Sequence, residues 1–195
     1  MKKSYVLIGI IFLIVICIMW ASGAYNGMVK SQEAASKEWA NVQSAYQRRA
    51  DLIPNLVETV KGYAKHEQET FENVVSARSK ATQVTVDPAN LTPEKLQEFQ
   101  NAQGELSSAL GKLIAIQENY PDLKASKNFE DLQIQLEGTE NRINEARNKF
   151  NTAVQEYNTG IRSFPKNIFA GLFGFSIMNK FEADAASQKA PEVKF

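Results

Sequence analysis

The hydrophobic positions of this chain form one uninterrupted run, followed by long stretches with a helical period. The run extends from Tyr5 to Ala24 and contains no charged residue. A helix needs roughly 20 apolar residues to cross a bilayer, so we predict a single-pass transmembrane helix over residues 5–24. Beyond it, β-branched residues nowhere alternate between turn signals, as they would in strands. The pattern therefore predicts an all-α protein with an N-terminal anchor.

The periodic stretches predict four helices after the anchor. The first continues from the anchor to near Asp51, because the residue before a proline is biased away from helical backbone angles. Pro54 suits the first turn of a second helix, and turn-forming residues predict a loop over Gln83–Thr92. Thr92 is expected to cap the third helix, which ends at Tyr120-Pro121.

The fourth helix has the most regular pattern. Apolar and small residues alternate steps of three and four for about five heptads, the spacing of a left-handed coiled coil. The members of this stripe are Phe129, Leu132, Leu136, Thr139, Ile143, Ala146, Phe150, Ala153, Tyr157, Ile161 and Phe164.

Short loops between long helices favour antiparallel neighbours, so we expect a long antiparallel up-down-up-down four-helix bundle over residues 25–183. Residues 1–4 form a short flank and residues 184–195 a disordered tail. In this topology the turns at Arg48–Asn55 and Tyr120–Ser126 share the distal tip. The Gln83–Thr92 loop and the end of the fourth helix then lie near the bilayer.

Charge and cysteine content narrow the functional classes. The chain carries 22 basic and 22 acidic residues, a balance that gives no electrostatic footprint for nucleic acid. The single cysteine, Cys17, lies inside the apolar run. We therefore expect a body without disulfides and without thiol chemistry.

The residues around the apolar run predict its orientation. Lys2 and Lys3 precede it, and the positive-inside rule places such a flank in the cytoplasm and the body outside the cell membrane. Ser22-Gly23-Ala24 also fits the small-x-small site of a cleaved signal peptide, which leaves cleavage as an alternative. Trp20 favours the uncleaved anchor, because tryptophan is enriched at membrane interfaces.

Two groups of residues are candidates for interactions. The first would form a docking tip or, in the alternative, would simply cap the helices that meet there; it comprises Arg48, Arg49, Asp51, Asn55, Tyr120, Pro121 and Asp122. The second would enter the membrane interface or, in the alternative, would close the end of the bundle; it comprises Phe169, Phe173, Phe175, Lys166 and Lys180.

No residue constellation indicates a reaction, a cofactor or a metal. His66 is the only histidine, and Thr70 stands where a zinc-binding helix would carry its second histidine. Gly111-Lys112 lacks the spacing and the hydroxyl residue of a phosphate-binding loop. Polar residues on the apolar stripes are expected to fix the register of the helices; they are Asn26, Arg78, Glu140, Arg147 and Asn158.

Several motifs in this order resemble the LemA family. The longest runs from Tyr46 to Glu67, and shorter ones are Tyr25-Asn26, Glu118–Lys124, Tyr157-Asn158 with Phe164-Pro165, Gly171–Phe175 and Phe181–Ala183. The resemblance implies a bacterial, membrane-anchored helical bundle. Because some members belong to the magnetosome set, it implies membrane-associated assembly. Because some family genes neighbour those of membrane proteases or TPM-domain proteins, it implies a membrane-protein partner.

These observations favour a non-enzymatic scaffold or adaptor of the bacterial cell envelope. Its expected partners are the lipid bilayer, a membrane protein such as a protease or a TPM-domain protein, and a second copy of itself. The alternative is an accessory or regulatory subunit of a membrane protease. An independent hydrolase is the third and least favoured reading.

Overall fold

The computed structural model describes residues 2–84, 86 and 91–182. Six α-helices follow one another: α1 (Lys2–Tyr63), α2 (Gln68–Gln83), α3 (Pro93–Ala115), α4 (Pro121–Lys124), α5 (Lys127–Arg162) and α6 (Lys166–Phe173). A single 3₁₀ turn over Ile116–Glu118 continues α3. No strand occurs in these ranges, and the prediction of an all-α protein is confirmed.

The apolar run forms the first third of α1 and is not covered by the rest of the protein. Ile8, Leu13 and Ile18 are each about 60% exposed, although side chains of this kind are normally buried in water-soluble domains. The stretch is long and apolar enough to cross a membrane. The body then continues from it without a break in the helix.

The predicted end of the first helix near Asp51 is wrong, because α1 continues through Pro54 to Tyr63. A proline inside a helix leaves the carbonyl of the residue four positions earlier without its N–H donor. Here that carbonyl belongs to Ala50, and Nε of Arg78 on α2 donates a hydrogen bond to it at 2.8 Å. A side chain from another helix thus replaces the bond that Pro54 removes.

The predicted second helix is also shorter than expected. The chain turns at residues 64–67, and α2 occupies only Gln68–Gln83. The distal end of the molecule therefore lies at Tyr63–Glu67 and not at Arg48–Asn55. From Ala24 to Tyr63, α1 rises about 60 Å, at about 1.5 Å per residue.

The apolar side chains of the body form three clusters along α1 and α5, which run antiparallel. The distal cluster contains residues of α1, α2, α3 and α5, among them Leu56, Val74 and Leu113. The middle cluster surrounds Trp39 and the proximal one surrounds Met28. Four helices therefore lie side by side only in the distal part.

Val86, in the connection between α2 and α3, lies beside Trp39 and more than a third of the way along the body, so the predicted place of this connection near the bilayer is wrong. Nε1 of Trp39 donates a hydrogen bond to the carbonyl of Val86 at 3.1 Å. Trp39 lies 15 residues beyond Ala24, which corresponds to about 22 Å along a helix. The Asp87-Pro88 turn signal and the predicted tail from Asp184 fall outside the described residues.

The end of α5 and the whole of α6 lie beside the last turns of the apolar run, as the topology predicts. After α6 the chain reverses at Gly174, whose φ of 77° lies in the left-handed region that glycine adopts without steric cost. Residues 175–182 then return along α5 in an irregular conformation. We call this segment the return strand segment, although it forms no sheet.

Candidate functional site

A buried arginine ties three helices together at the middle of the molecule. Arg49 on α1 is only 2% exposed. Its Nη1 donates hydrogen bonds to Oγ of Ser107 at 2.8 Å and to Oε1 of Glu140 at 2.7 Å. Its Nη2 donates to Oε1 and to the main-chain carbonyl of Gln103 at 2.6 and 3.3 Å. We call these four residues the Arg49 node.

Further contacts of Arg49 and Gln103 connect the Arg49 node to its neighbours. The guanidinium lies 5.0 Å from the ring centroid of Tyr46, in cation–π range. Burial raises the pKa of Tyr46, while the charges of Arg147 and Arg49 act in the opposite direction. Gln103 in turn donates to the carbonyl of Ala81 at 3.2 Å. The node therefore connects α2 to the other three long helices.

A polar groove of about 780 Å³ opens beside the Arg49 node, between α3 and α5. Its walls carry Gln97, Asn101 and Asn144, amides without acid–base chemistry at neutral pH. Among the described residues, no group of three or more His, Cys, Asp or Glu side chains could hold a metal ion. The groove is also lined by Ser107 and by the carboxylates of Glu105, Glu140 and Glu182, and both Ser107 and Glu140 accept hydrogen bonds from Arg49.

The predicted docking tip is divided by the structure into separate places. Arg49 is buried in its node, so its assignment to an exposed tip is wrong. Arg48, Asp51 and Asn55 are exposed on the side of α1, and Asp51 accepts a hydrogen bond from Nε2 of Gln47 at 2.7 Å. Arg48 lies 15 residues before Tyr63, which corresponds to about 22 Å along the helix.

The real distal tip contains the other predicted residues. The hydroxyl of Tyr120 donates a hydrogen bond to Oε1 of Glu67 at 3.1 Å and joins the turn after α1 to the turn before α4. Pro121 and Asp122 are exposed at the start of α4. We call residues 63–67 and 119–126 the distal tip. Sequence reasoning missed the turn at residues 63–67, because Gly62 is the only residue next to this turn that disfavours a helix.

The predicted interfacial aromatics come together beside the apolar run. The ring of Phe169 on α6 makes an edge contact with Trp20 at 5.1 Å between centroids. Phe173 and Phe175 make edge contacts with Tyr25 at 5.2 and 5.6 Å. Three aromatic rings that are close in sequence thus pack beside the end of the apolar run.

The two lysines of the same prediction are separated. Lys166 is exposed at the start of α6. Nζ of Lys180 donates a hydrogen bond to Oε1 of Gln155 on α5 at 2.7 Å, farther up the body. Lys180 is therefore part of the attachment of the return strand segment and does not accompany the aromatic group.

Two asparagines of α5 hold the return strand segment by its main chain. Oδ1 of Asn158 accepts from the N–H of Met178 at 2.9 Å, and its Nδ2 donates to the carbonyl of the same residue at 2.8 Å. Asn151 makes the same pair of bonds with Phe181, at 2.9 and 3.0 Å. Asn158 was expected to fix helix register, and instead it fixes this segment.

Sequence reasoning missed Asn151. Its signal was present in the spacing, because Asn151 and Asn158 are seven residues apart and therefore share one face of a helix. The ring of Phe181, which belongs to the middle cluster, stacks on Trp39 with 5.7 Å between the ring centroids. The guanidinium of Arg147 lies 4.6 Å from the centroid of the same ring.

Comparison with known proteins gives one consistent result. Protein LemA of Metamycoplasma hominis is 27% identical over 121 residues, which are 62% of this chain and 52% of that protein. Magnetosome protein MamQ of Magnetospirillum gryphiswaldense is 26% identical over 179 residues, 83% of this chain and 66% of that protein. The chain thus spans about half the length of the first relative and about two thirds of the second.

The family assignment rests on a match that covers most of the chain. The model of the LemA family matches residues 38–195, which include the distal tip, the Arg49 node and the return strand segment. The sequence motifs that resemble the family lie within this range, except Tyr25-Asn26, which precedes it. The chain therefore belongs to the LemA family.

Proposed function

We propose that this protein is a membrane-anchored scaffold or adaptor of the bacterial cell envelope. The apolar run of α1 anchors the protein, and the distal tip binds its partner. The proposal takes the N-terminus to be cytoplasmic and the body to be extracytoplasmic, because Lys2 and Lys3 precede the apolar run. Relatives named as magnetosome proteins support association with a membrane.

The continuity of α1 carries this proposal. The same helix contains the membrane-spanning stretch and the longest element of the body, from Lys2 to Tyr63. A flexible linker would let the body rotate and tilt freely, whereas a continuous helix transmits the direction of the span. The distal tip would thus stand about 60 Å from the membrane surface.

The packing against α1 supports a rigid body. α5 accompanies it from Leu56 to Met28, through the distal, middle and proximal clusters. Nη1 and Nη2 of the buried Arg49 donate hydrogen bonds to groups of α3 and α5, whereas its buried Nε has no partner. These interactions hold a fixed shape, which is what a spacer or adaptor requires.

The first test measures the position of the distal tip. A fluorescent donor is attached at Lys65→Cys, in a Cys17→Ser background, in the full-length protein reconstituted into vesicles with acceptor-labelled headgroups. We expect weak energy transfer from Lys65→Cys and strong transfer from a matched label at Lys30→Cys. Equal, strong transfer from both positions would contradict the proposal, because the body would then lie on the membrane.

The second test identifies what meets the tip. A photocrosslinking residue at Asp122 should link to a defined membrane protein in intact cells, whereas the same residue at Asn148, exposed on the side of α5, should not. Crosslinks of equal yield at both positions would refute a docking tip. A stoichiometric membrane protease at Asp122 would instead assign the protein to the accessory subunits of that protease.

A further inference from the structure

We propose that α6 is an interfacial foot that inserts into the phospholipid bilayer beside the span of α1. The occupant of its outer face is the boundary between headgroups and acyl chains, in the leaflet where α1 leaves the membrane. This inference rests on the proposed anchoring of α1 and adds a second, non-spanning contact with the same bilayer.

The outer face of α6 and its flanks is strongly apolar and uncovered. Ile168 is 61% exposed and Leu172 is 76% exposed; four residues apart, they lie on one side of the helix. Phe164 before the helix and Ile177 after it are 81% and 64% exposed. Four large apolar side chains this exposed within residues 164–177 indicate an interaction surface rather than ordinary surface composition.

The inner face of α6 fixes the position of the helix. Ala170 is buried in the proximal cluster with Met28, Tyr157 and Ile161. Phe169 and Phe173 contact Trp20 and Tyr25 of α1. The outer face is therefore free for another partner while α6 itself remains attached to the body.

The contact with Trp20 identifies lipid as that partner. The apolar run from Tyr5 to Ala24 is about 30 Å long as a helix, the thickness of the hydrocarbon core. If the run fills this core, Ala24 lies at its edge and Trp20 about 6 Å inside. Interfacial helices insert their apolar faces about 5–10 Å deep, which is the level at which Phe169 meets Trp20.

The polar residues near the foot complete the pattern of an interfacial helix. Lys166 and Asn167 are exposed at its start, and Arg162 is exposed in the last turn of α5. Cationic side chains next to an apolar face interact favourably with the phosphates of lipid headgroups. If α6 stood in water instead, its exposed apolar side chains would have no such favourable contact.

The test measures depth in the membrane with single labels on the full-length protein. In the Cys17→Ser background, an environment-sensitive fluorophore is placed at Leu172→Cys on the apolar face, at Asn167→Cys on the polar face, and at Leu13→Cys in the span. The protein is reconstituted into vesicles of phosphatidylethanolamine and phosphatidylglycerol. Lipids that carry nitroxides at shallow or deep acyl positions then quench the emission.

We expect the label at Leu13 to be quenched best by the deep nitroxide and the label at Leu172 by the shallow one. Quenching by the shallow nitroxide should be about twofold stronger at Leu172 than at Asn167, since only the apolar face enters the acyl region. Leu172 is so exposed that the label displaces no packed side chain.

The outcomes separate the foot from the anchor. Quenching at Leu13 with weak, equal quenching at Leu172 and Asn167 would overturn the foot and leave the anchored scaffold intact. Absence of quenching at Leu13 would overturn the anchor and the foot together. As a second measurement, the double variant Ile168→Asp with Leu172→Asp should abolish protection of the Lys166–Asn167 bond from trypsin; protection that is absent already in the unchanged protein would also overturn the foot.

Discussion

The apolar faces of α1 and α5 are covered by different elements in the distal and proximal halves of this molecule. In the distal half, α2 and α3 cover the apolar faces of α1 and α5, and side chains such as Leu56 and Leu113 are fully buried. In the proximal half, α2 is absent and α3 reaches only the middle cluster, through Leu96 and Phe99. There, α6 and the return strand segment cover what the helix pair leaves open.

The difference lies in the groups that make the contacts. The distal half is held by apolar side chains at helical spacing, together with the Arg49 node. The proximal half is held by side chains that bind a main chain, because Asn151 and Asn158 each bond both polar groups of one residue. We therefore expect the distal half to set global stability and the proximal half to open locally.

The largest expected effect comes from the distal core. Leu56→Ala removes a fully buried side chain and should lower the free energy of unfolding by about 3 kcal/mol, as leucine truncations in cores do. The matched control Asn55→Ala changes an exposed neighbour and should leave stability within about 0.5 kcal/mol. Thermal denaturation in detergent micelles, followed by circular dichroism, measures both. Equal melting temperatures for the two variants would contradict the role of the distal cluster.

The Arg49 node should matter next. Arg49→Met should cost about 2 kcal/mol, mostly because the buried oxygens of Gln103 lose their donor. Glu140 is 44% exposed and can be hydrated instead. Arg49→Lys should recover little of the loss, because Nη1 and Nη2 of Arg49 reach partners on two different helices, whereas lysine donates from a single nitrogen. Full recovery with lysine, in denaturant titrations, would show that charge alone matters.

The helix continuity of the distal half can be broken and repaired. Arg78→Ala removes the donor to the carbonyl of Ala50 and should cost about 1–2 kcal/mol. Pro54→Ala in the same protein restores a backbone N–H for that carbonyl and should recover the loss. The free energies of the two single variants and of the double variant form a cycle. An additive cycle would refute the compensation between Arg78 and Pro54.

The proximal half should respond locally. Asn158→Ala removes two hydrogen bonds to Met178, which should raise amide hydrogen exchange of residues 176–182 about tenfold if they contribute about 1.4 kcal/mol. Exchange in the distal cluster should not change. Asn148→Ala, at an exposed position of the same helix, serves as the control. A loss of protection throughout the body would show that the two halves unfold as one unit.

The smallest effect concerns alkaline pH. Burial raises the pKa of Tyr46 above its ordinary value of about 10, so the folded state holds this proton more tightly than the unfolded state. Stability from this group is complete below about pH 10 and is lost as the pH rises through the folded pKa. Tyr46→Phe should lose less stability than the unchanged protein over this range. Identical pH profiles in denaturant titrations would exclude the effect.

Local sequence patterns predicted much of the fold because they depend on near neighbours. The stripe from Phe129 to Phe164 predicted α5, which spans Lys127–Arg162. Thr92 was expected to cap the third helix, and its Oγ1 accepts from the N–H of Lys95 at 3.3 Å. The candidate aromatics Phe169, Phe173 and Phe175 also meet, since they belong to one short segment.

Long-range hydrogen bonds explain where the prediction failed. Nothing within a turn of Pro54 shows that Arg78, 24 residues later, supplies the missing donor. In the same way, no local pattern shows that Asn151 binds Phe181 across 30 residues. The candidate tip was misplaced because its predicted location depended on a helix end at Asp51, and the bond from Arg78 lets the helix continue past Pro54.

The sequence by itself determined the helical class, the apolar span and the faces along which the long helices pack, because the spacing of apolar residues acts at each turn of the chain. Only the tertiary structure decided that α1 passes through its proline, that Arg49 is buried instead of exposed, and that the chain returns along α5. These outcomes depend on polar groups that must find partners once they are removed from water, and those partners lie far away in sequence.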